Sequence, residues 1–258
     1  MRGDGTWFGL TYADGLAPYA EALASAGVAV FAYDHRYLGA SDGEPRQRIR
    51  VSEQLADRRA AIAFVRSLDV VDPDKVIVWA YSLSGGTAVD AIAADNRIAG
   101  AILLCPFTDG LWRIRRSAMT QPLNMLWTAK QAARDATIPV TAEPGSRGGM
   151  TFPGEHTGFT RSTGPHWRNE VHAGLALPLP FWRPVTKARK IHCPTLIQVG
   201  LRDVSVSNKA IDRIASKAPN VVLKRYDVDH FEPLYSHDRE QIAADQVEWL
   251  KAWRSAGS

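Results

Sequence analysis

The chain has 258 residues, 45% hydrophobic and 22% charged, which excludes a disordered or repetitive chain and suffices for one sizeable core. Its 31 Lys and Arg against 27 Asp and Glu leave a formal charge of +4, too weak a bias to argue for a nucleic-acid partner. No apolar run approaches the roughly 18 residues of a membrane span, and the opening Met1-Arg-Gly-Asp-Gly5 lacks the apolar centre of a signal peptide. The expectation is a soluble, cytoplasmic protein. The two cysteines, Cys105 and Cys193, lack metal-ligand spacing and read as buried free thiols.

In chain order, short apolar runs alternate with helical patterns, the signature of an α/β protein with a mostly parallel sheet and helices on both faces. Strands are expected at Val28–Tyr33, Val76–Ala80, Ala99–Cys105, Thr195–Gly200 and Val221–Val228, whose β-branched runs suit burial on both faces. Helices are expected near Leu16–Ala26, Ser52–Leu68, Gly85–Ala94, Ser207–Ala218 and His237–Trp253. Ser52 and Ser207 serve as N-caps, and Gly27 closes the first helix. Ile242, Trp249 and Trp253 form a core-facing stripe on the last helix. Residues 111–192 break this rhythm, because a crossover needs far fewer residues. They begin with a helical stretch, Leu111–Asp135, and continue through a Pro/Gly-rich part carrying Trp167, Phe181 and Trp182. The division expected is a core of 1–110 and 193–258 with a lid or cap insertion at 111–192; the alternative is a cover over the sheet edge. The basic runs Arg113, Arg115, Arg116 and Lys187, Arg189, Lys190 read as solvated faces.

The chemistry-bearing motif is Ala80-Tyr81-Ser82-Leu83-Ser84-Gly85-Gly86, which follows an apolar strand and opens a helix. A nucleophilic serine on such an elbow needs small neighbours, because the turn is strained and brings helix against strand. Ala80 and Ser84 stand where this pattern usually has glycine. Ser84 is the rival hydroxyl, but it fills a small-residue slot. A serine hydroxyl needs a base within hydrogen-bond reach and an acid that orients the base. Asp203 follows the strand TLIQVG, and His230 follows the strand ending near Val228, giving the order Ser, Asp, His. Asp109 is the runner-up acid, and Asp229 lies too near His230 in sequence. Among the other histidines, His35, His156, His166, His172, His192 and His237, none follows the last strand as directly.

These residues resemble the α/β-hydrolase superfamily, specifically its small intracellular lipase/esterase-like branch, allied to dienelactone hydrolases and acetyl-xylan-esterase-like enzymes. The similar stretches are Gly15–Glu21, Asp34–Arg46, the Ser82 elbow, Pro106–Gly110 and the Asp203 and His230 loops, covering roughly residues 15–110 and 193–254. Within them Asp34, Arg36 and the turn Gly39–Arg46 read as structural. The resemblance implies further N-terminal strands and a loop giving half of the oxyanion hole. Here the chain begins about where that loop belongs, as in a shortened member or a fragment. The Leu83 amide supplies one donor, and the second falls to about Gly3 or Asp4. Losing one such donor typically costs on the order of 10²–10³ in turnover.

The expected activity is hydrolysis of a carboxylic ester, or a thioester, by a Ser82–His230–Asp203 triad through an acyl-enzyme, with no cofactor and no metal. The expected partner is a small-molecule ester with an apolar acyl or aromatic group. No nucleic acid and no membrane span are expected, and oligomerisation is left open. A serine at the elbow argues against dehalogenase and epoxide-hydrolase chemistry, which need Asp there. The lack of a peptide-selecting domain argues against a peptidase. A non-catalytic binding protein of the same fold and an acyltransferase are the alternatives.

Overall fold

The structure is a computed structural model that describes residues 11, 13–164 and 167–256. Among the described residues the first element is helix α1 (Ala17–Ser25), closed by Gly27 at φ 83° as expected, followed by α2 (Val51–Arg66). Strand β1 (Ile77–Tyr81) leads into α3 (Ser82–Ile92), and β2 (Gly100–Leu104) follows. Then come α4 (Gly110–Thr120), α5 (Pro122–Ala132), the short strand β3 (Thr137–Ile138), α6 (Glu155–Ser162) and β4 (Val171–His172). The chain ends with β5 (Thr195–Gly200), α7 (Asn208–Lys217), β6 (Val221–Tyr226), the single turn α8 (Glu232–Tyr235) and α9 (Asp238–Ala256).

Strands β1, β2, β5 and β6 form a parallel sheet in that order. Ala101–Leu104 of β2 pair with Thr195–Gln198 of β5, and both strands are buried along their whole length, as suits their apolar runs. Each large aliphatic side chain there contributes about 1.5–3 kcal/mol of burial. Edge strand β6 departs from that expectation. It is only partly buried, and Val222 is largely exposed. Strand register matters for function because every strand of this sheet points the same way. The loops after β1, β2, β5 and β6 therefore converge at one end, where ligands gather in such sheets.

Four local expectations are corrected. Val28–Tyr33 forms no strand, and of its residues only Tyr33 sits in a bridge. Val28–Phe31 and Ile77–Trp79 of β1 both line a groove of about 810 Å³, and no ladder pairs them. Ser52 is not the N-cap of α2. The helix starts one residue earlier, with Arg50 in the cap position and no side-chain cap bond, whereas Ser207 does cap α7 by accepting the Ala210 amide at 3.2 Å. The basic runs are not simply solvated. Arg113 is buried against Glu155, and Lys187 pairs with the buried Asp90 at 2.8 Å. The expected helical stretch 111–135 is two helices, broken where Pro122 cannot continue the hydrogen-bond ladder of α4.

Candidate active site

The strand-to-helix junction is where the sequence placed it. Ser82 is the first residue of α3, with φ 51°. That left-handed conformation costs a non-glycine residue on the order of 1–3 kcal/mol, and strain of this kind collects at functional sites. The packing behind it explains the glycines. A Cβ on Gly85 would lie 2.6 Å from Pro106 Cβ, and one on Gly86 would lie 2.3 Å from the Phe107 carbonyl oxygen. The Phe107 amide donates to the Ser82 carbonyl at 2.7 Å, fastening the loop after β2 to the elbow. Leu83 is buried in the first turn of α3, where helix amides have no intrahelical partner and the dipole favours negative charge.

Ser82 Oγ lies 2.8 Å from His230 Nε2, and His230 Nδ1 lies 2.6 Å from Asp203 Oδ2. All three residues are buried. The chain from hydroxyl to imidazole to carboxylate is thus continuous and sequestered from bulk solvent. Asp203 Oδ1 accepts the amides of Ser205 at 2.7 Å and Val206 at 3.1 Å, which leaves Oδ2 for the imidazole. The two loops meet because β5 ends in a glycine. A Cβ on Gly200 would lie 2.4 Å from the Val228 carbonyl oxygen, so no larger residue permits this approach. The His230 loop is held by a reciprocal exchange. Asp229 Oδ1 accepts the Glu232 amide at 2.8 Å, and Glu232 Oε2 accepts the Asp229 amide at 2.6 Å.

The rival groups have other partners. Asp109 caps α4 through the Trp112 amide and pairs with Arg183 at 2.9 Å. Asp229 serves the backbone of its own turn. Ser84 sits fully buried in its small-residue slot, and its carbonyl accepts from Arg58 and Thr87. His35 bonds Asp57, His172 bonds the Asp135 carbonyl, and His237 is exposed beside Asp238. His166, Gly3 and Asp4 lie outside the described residues. Asp34 and Arg36 take the structural roles expected of them, through Ala40 and Asp57.

Several contacts were not visible in the sequence. Tyr81 donates its hydroxyl to the His230 carbonyl and stacks on the imidazole, with ring centroids 5.3 Å apart. Burial pushes its phenol well above the ordinary range, so it remains a donor. Phe231 also meets the imidazole edge-on, with ring centroids 5.1 Å apart. Cys105, at the end of β2, approaches Asp203 and His230, so that ligating atoms of the three lie within 4.8 Å of one another. Burial, then the Asp203 charge, pushes the Cys105 thiol well up. A protonated thiol beside a carboxylate and imidazole already bonded to each other is a poor metal-ligand set. The only hint of these neighbours in the sequence was position, since Tyr81 and Cys105 end strands that lead into the site.

No helix of the described residues is long and apolar enough to cross a membrane. The family model for serine aminopeptidase, S33, matches residues 10–230. The quorum-quenching protein AidA of Acinetobacter baumannii is 33% identical over 92% of this chain and 81% of its own length. The thiohydrolase aneE of Aspergillus aculeatus is 26% identical over 75% of this chain and 66% of its own. Among solved structures, that of DcsB with its substrate analogue superposes with a TM-score of 0.82 at 20% identity, covering 96% of this chain and 89% of that one. The α/β hydrolase GrgF of Penicillium sp. sh18 gives 0.80 at 21% identity, covering 96% and 88%. The chain therefore has the α/β-hydrolase fold, belongs to the serine aminopeptidase, S33 family, and is a hydrolase.

Proposed function

We propose that this hydrolase cleaves a carboxylic ester through an acyl-enzyme, using Ser82 as nucleophile, His230 as general base and acid, and Asp203 as the group that orients His230. The observation that carries this reading is the unbroken Ser82–His230–Asp203 relay at 2.8 and 2.6 Å in a buried site. Nε2 takes the Ser82 proton as Oγ attacks the carbonyl, and it returns that proton to the leaving alcohol. A water then enters by the same route and releases the acid. Asp203 stabilises the imidazolium between the two transfers. The Leu83 amide at the start of α3 meets the developing oxyanion. The Gly3 and Asp4 region remains the proposed source of the second donor.

Thioesters are the second substrate class. The name of aneE is thiohydrolase, and a thiolate leaving group suits the same proton relay. Residues 111–192 serve as the lid. Trp182 stacks on Phe107 at 5.7 Å beside the elbow, and Phe159 of α6 packs on Phe231 at 5.2 Å. These aromatic walls favour an apolar acyl or aromatic group. The free thiols Cys105 and Cys193 fit a reducing, cytoplasmic setting. The test is turnover of p-nitrophenyl acetate and butyrate, and of the matching thioesters, beside Ser82→Ala. Turnover abolished by that substitution is the expected result. Equal turnover by the variant, or transfer to an added alcohol in place of hydrolysis, would overturn the reading.

A further inference from the structure

Helix α6 lies outside the sheet, yet it reaches both loops that carry the partners of Ser82. Its first residue, Glu155, is fully buried. One carboxylate oxygen, Oε1, takes Arg113 Nη1 at 2.6 Å and the Ser205 hydroxyl at 2.8 Å. The other, Oε2, takes Arg113 Nη2 at 3.1 Å and the Phe152 amide at 2.8 Å. The Arg113 guanidinium lies over the Phe152 ring at 4.0 Å. The four acceptor sites of the carboxylate are thus engaged, three of them by groups of residues 111–192.

The fourth contact leaves that segment. Ser205 belongs to the loop after β5, and its amide is one of the two that hold Asp203 Oδ1. Residues 203–206 have no ladder or helix bond to fix the direction of those amides. What reaches this loop from outside is the bond from the Ser205 hydroxyl to Glu155. Independently, Gly158 of α6 seats against Phe231, where an added Cβ would lie 2.4 Å from the ring, and Phe159 packs on the same ring. Phe231 is the neighbour of His230 in sequence and in space. A buried ion pair is weak support for stability by itself, since apolar residues of similar volume often do as well. The fourth contact, to the acid loop, gives this one a reason to be there.

We infer that Glu155, neutralised by Arg113, is a positioning residue for Asp203, acting through the Ser205 hydroxyl, so that residues 111–192 set the geometry of the relay as well as covering it. This rests on the triad reading given above. No bond to substrate is involved. Glu155 fixes Ser205, Ser205 and Val206 fix Oδ1, and Oδ2 is left aimed at His230 Nδ1.

The experiment measures kcat and KM for p-nitrophenyl butyrate in the full chain, in Ser205→Ala, in Ser205→Thr, in the double variant Arg113→Met/Glu155→Met, and in the triple variant joining Ser205→Ala to that pair. Fluorophosphonate labelling of Ser82 and thermal melting accompany each. Ser205→Ala is expected to lose about 10- to 100-fold in kcat, the range for a displaced catalytic group, with KM unchanged. Ser205→Thr, which keeps the hydroxyl, recovers the rate. The double variant shows the same loss, and the triple variant loses no more, because all three residues act on one bond. Wild-type kcat in Ser205→Ala, or losses that multiply in the triple variant, overturns the inference while labelled Ser82 leaves the triad standing. A full chain that turns over without labelling at Ser82 overturns the triad and this inference together. Should the double variant fail to fold, the Ala and Thr pair at 205 still decides.

Discussion

Replacing Asp203 by Asn keeps the shape of the site and reverses its proton logic. Asp203 Oδ1 already accepts two amides, at 2.7 and 3.1 Å, so the Asn oxygen must take that place. The NH₂ group then faces His230 Nδ1 across the 2.6 Å contact and donates to it. Nδ1 becomes the acceptor, the ring proton moves to Nε2, and Nε2 can no longer accept the Ser82 proton over its 2.8 Å contact. The same inversion in the best-studied serine protease costs about 10⁴ in kcat, equivalent to about 5.4 kcal/mol at 1.36 per decade. The expected outcome is a loss of that order in p-nitrophenyl butyrate turnover with little change in melting temperature. The assay is initial-rate kinetics beside a melting curve. An Asp203→Asn enzyme that stays within about tenfold of the native rate would refute this, since an inverted imidazole cannot act as the base.

Further outcomes follow from the same packing. Gly200→Ala drives a Cβ to 2.4 Å from the Val228 carbonyl oxygen and parts the Asp203 and His230 loops. It should cost about 1–3 kcal/mol in chemical denaturation and lower kcat more than KM. Tyr81→Phe removes the hydroxyl's bond to the His230 carbonyl, at a cost of about 0.5–1.5 kcal/mol in the same assay, with turnover reduced. Acid stability should depend on Asp57. Burial pushes its carboxyl up, but bonds from His35 and Arg36 outweigh burial and hold it at about 2, below the usual 3.8. A carboxyl depressed on folding contributes fully above its unfolded value and loses that contribution as pH falls towards 2. The two values set a ceiling of about 2 kcal/mol, which solvent screening around the exposed Arg36 cuts to about 1. Asp57→Asn should therefore lower stability at pH 7 and flatten its decline between about pH 5 and 2; parallel wild-type and variant curves would contradict this.

The sheet was legible wherever a strand is buried on both faces. β1, β2 and β5 lie within a residue or two of the apolar runs that foretold them, because a continuous β-branched run has few other ways to bury itself. Val28–Tyr33 carries the same pattern and still forms no strand, since a ladder needs a neighbour that periodicity cannot see. The elbow was legible for a different reason, because small residues around Ser82 are a steric demand of the turn and leave their mark locally. Asp203 and His230 could be read only as residues at strand ends, and their meeting depends on Gly200 pressed against Val228. Arg113 and Glu155 were invisible as a pair. They stand 42 positions apart, Glu155 in the Pro/Gly-rich part that carries no periodic signal, and Arg113 read as part of a solvated basic run.

The central claim is that Ser82 is a nucleophile activated by His230 and Asp203. Its most direct test is intact-mass and peptide mass spectrometry of the chain after a fluorophosphonate probe, with Ser82→Ala and His230→Ala in parallel. The account predicts one adduct, on Ser82, formed rapidly in the native chain, slowly in His230→Ala and absent from Ser82→Ala. An adduct on another residue, or equal labelling of the native and His230→Ala proteins, would contradict it.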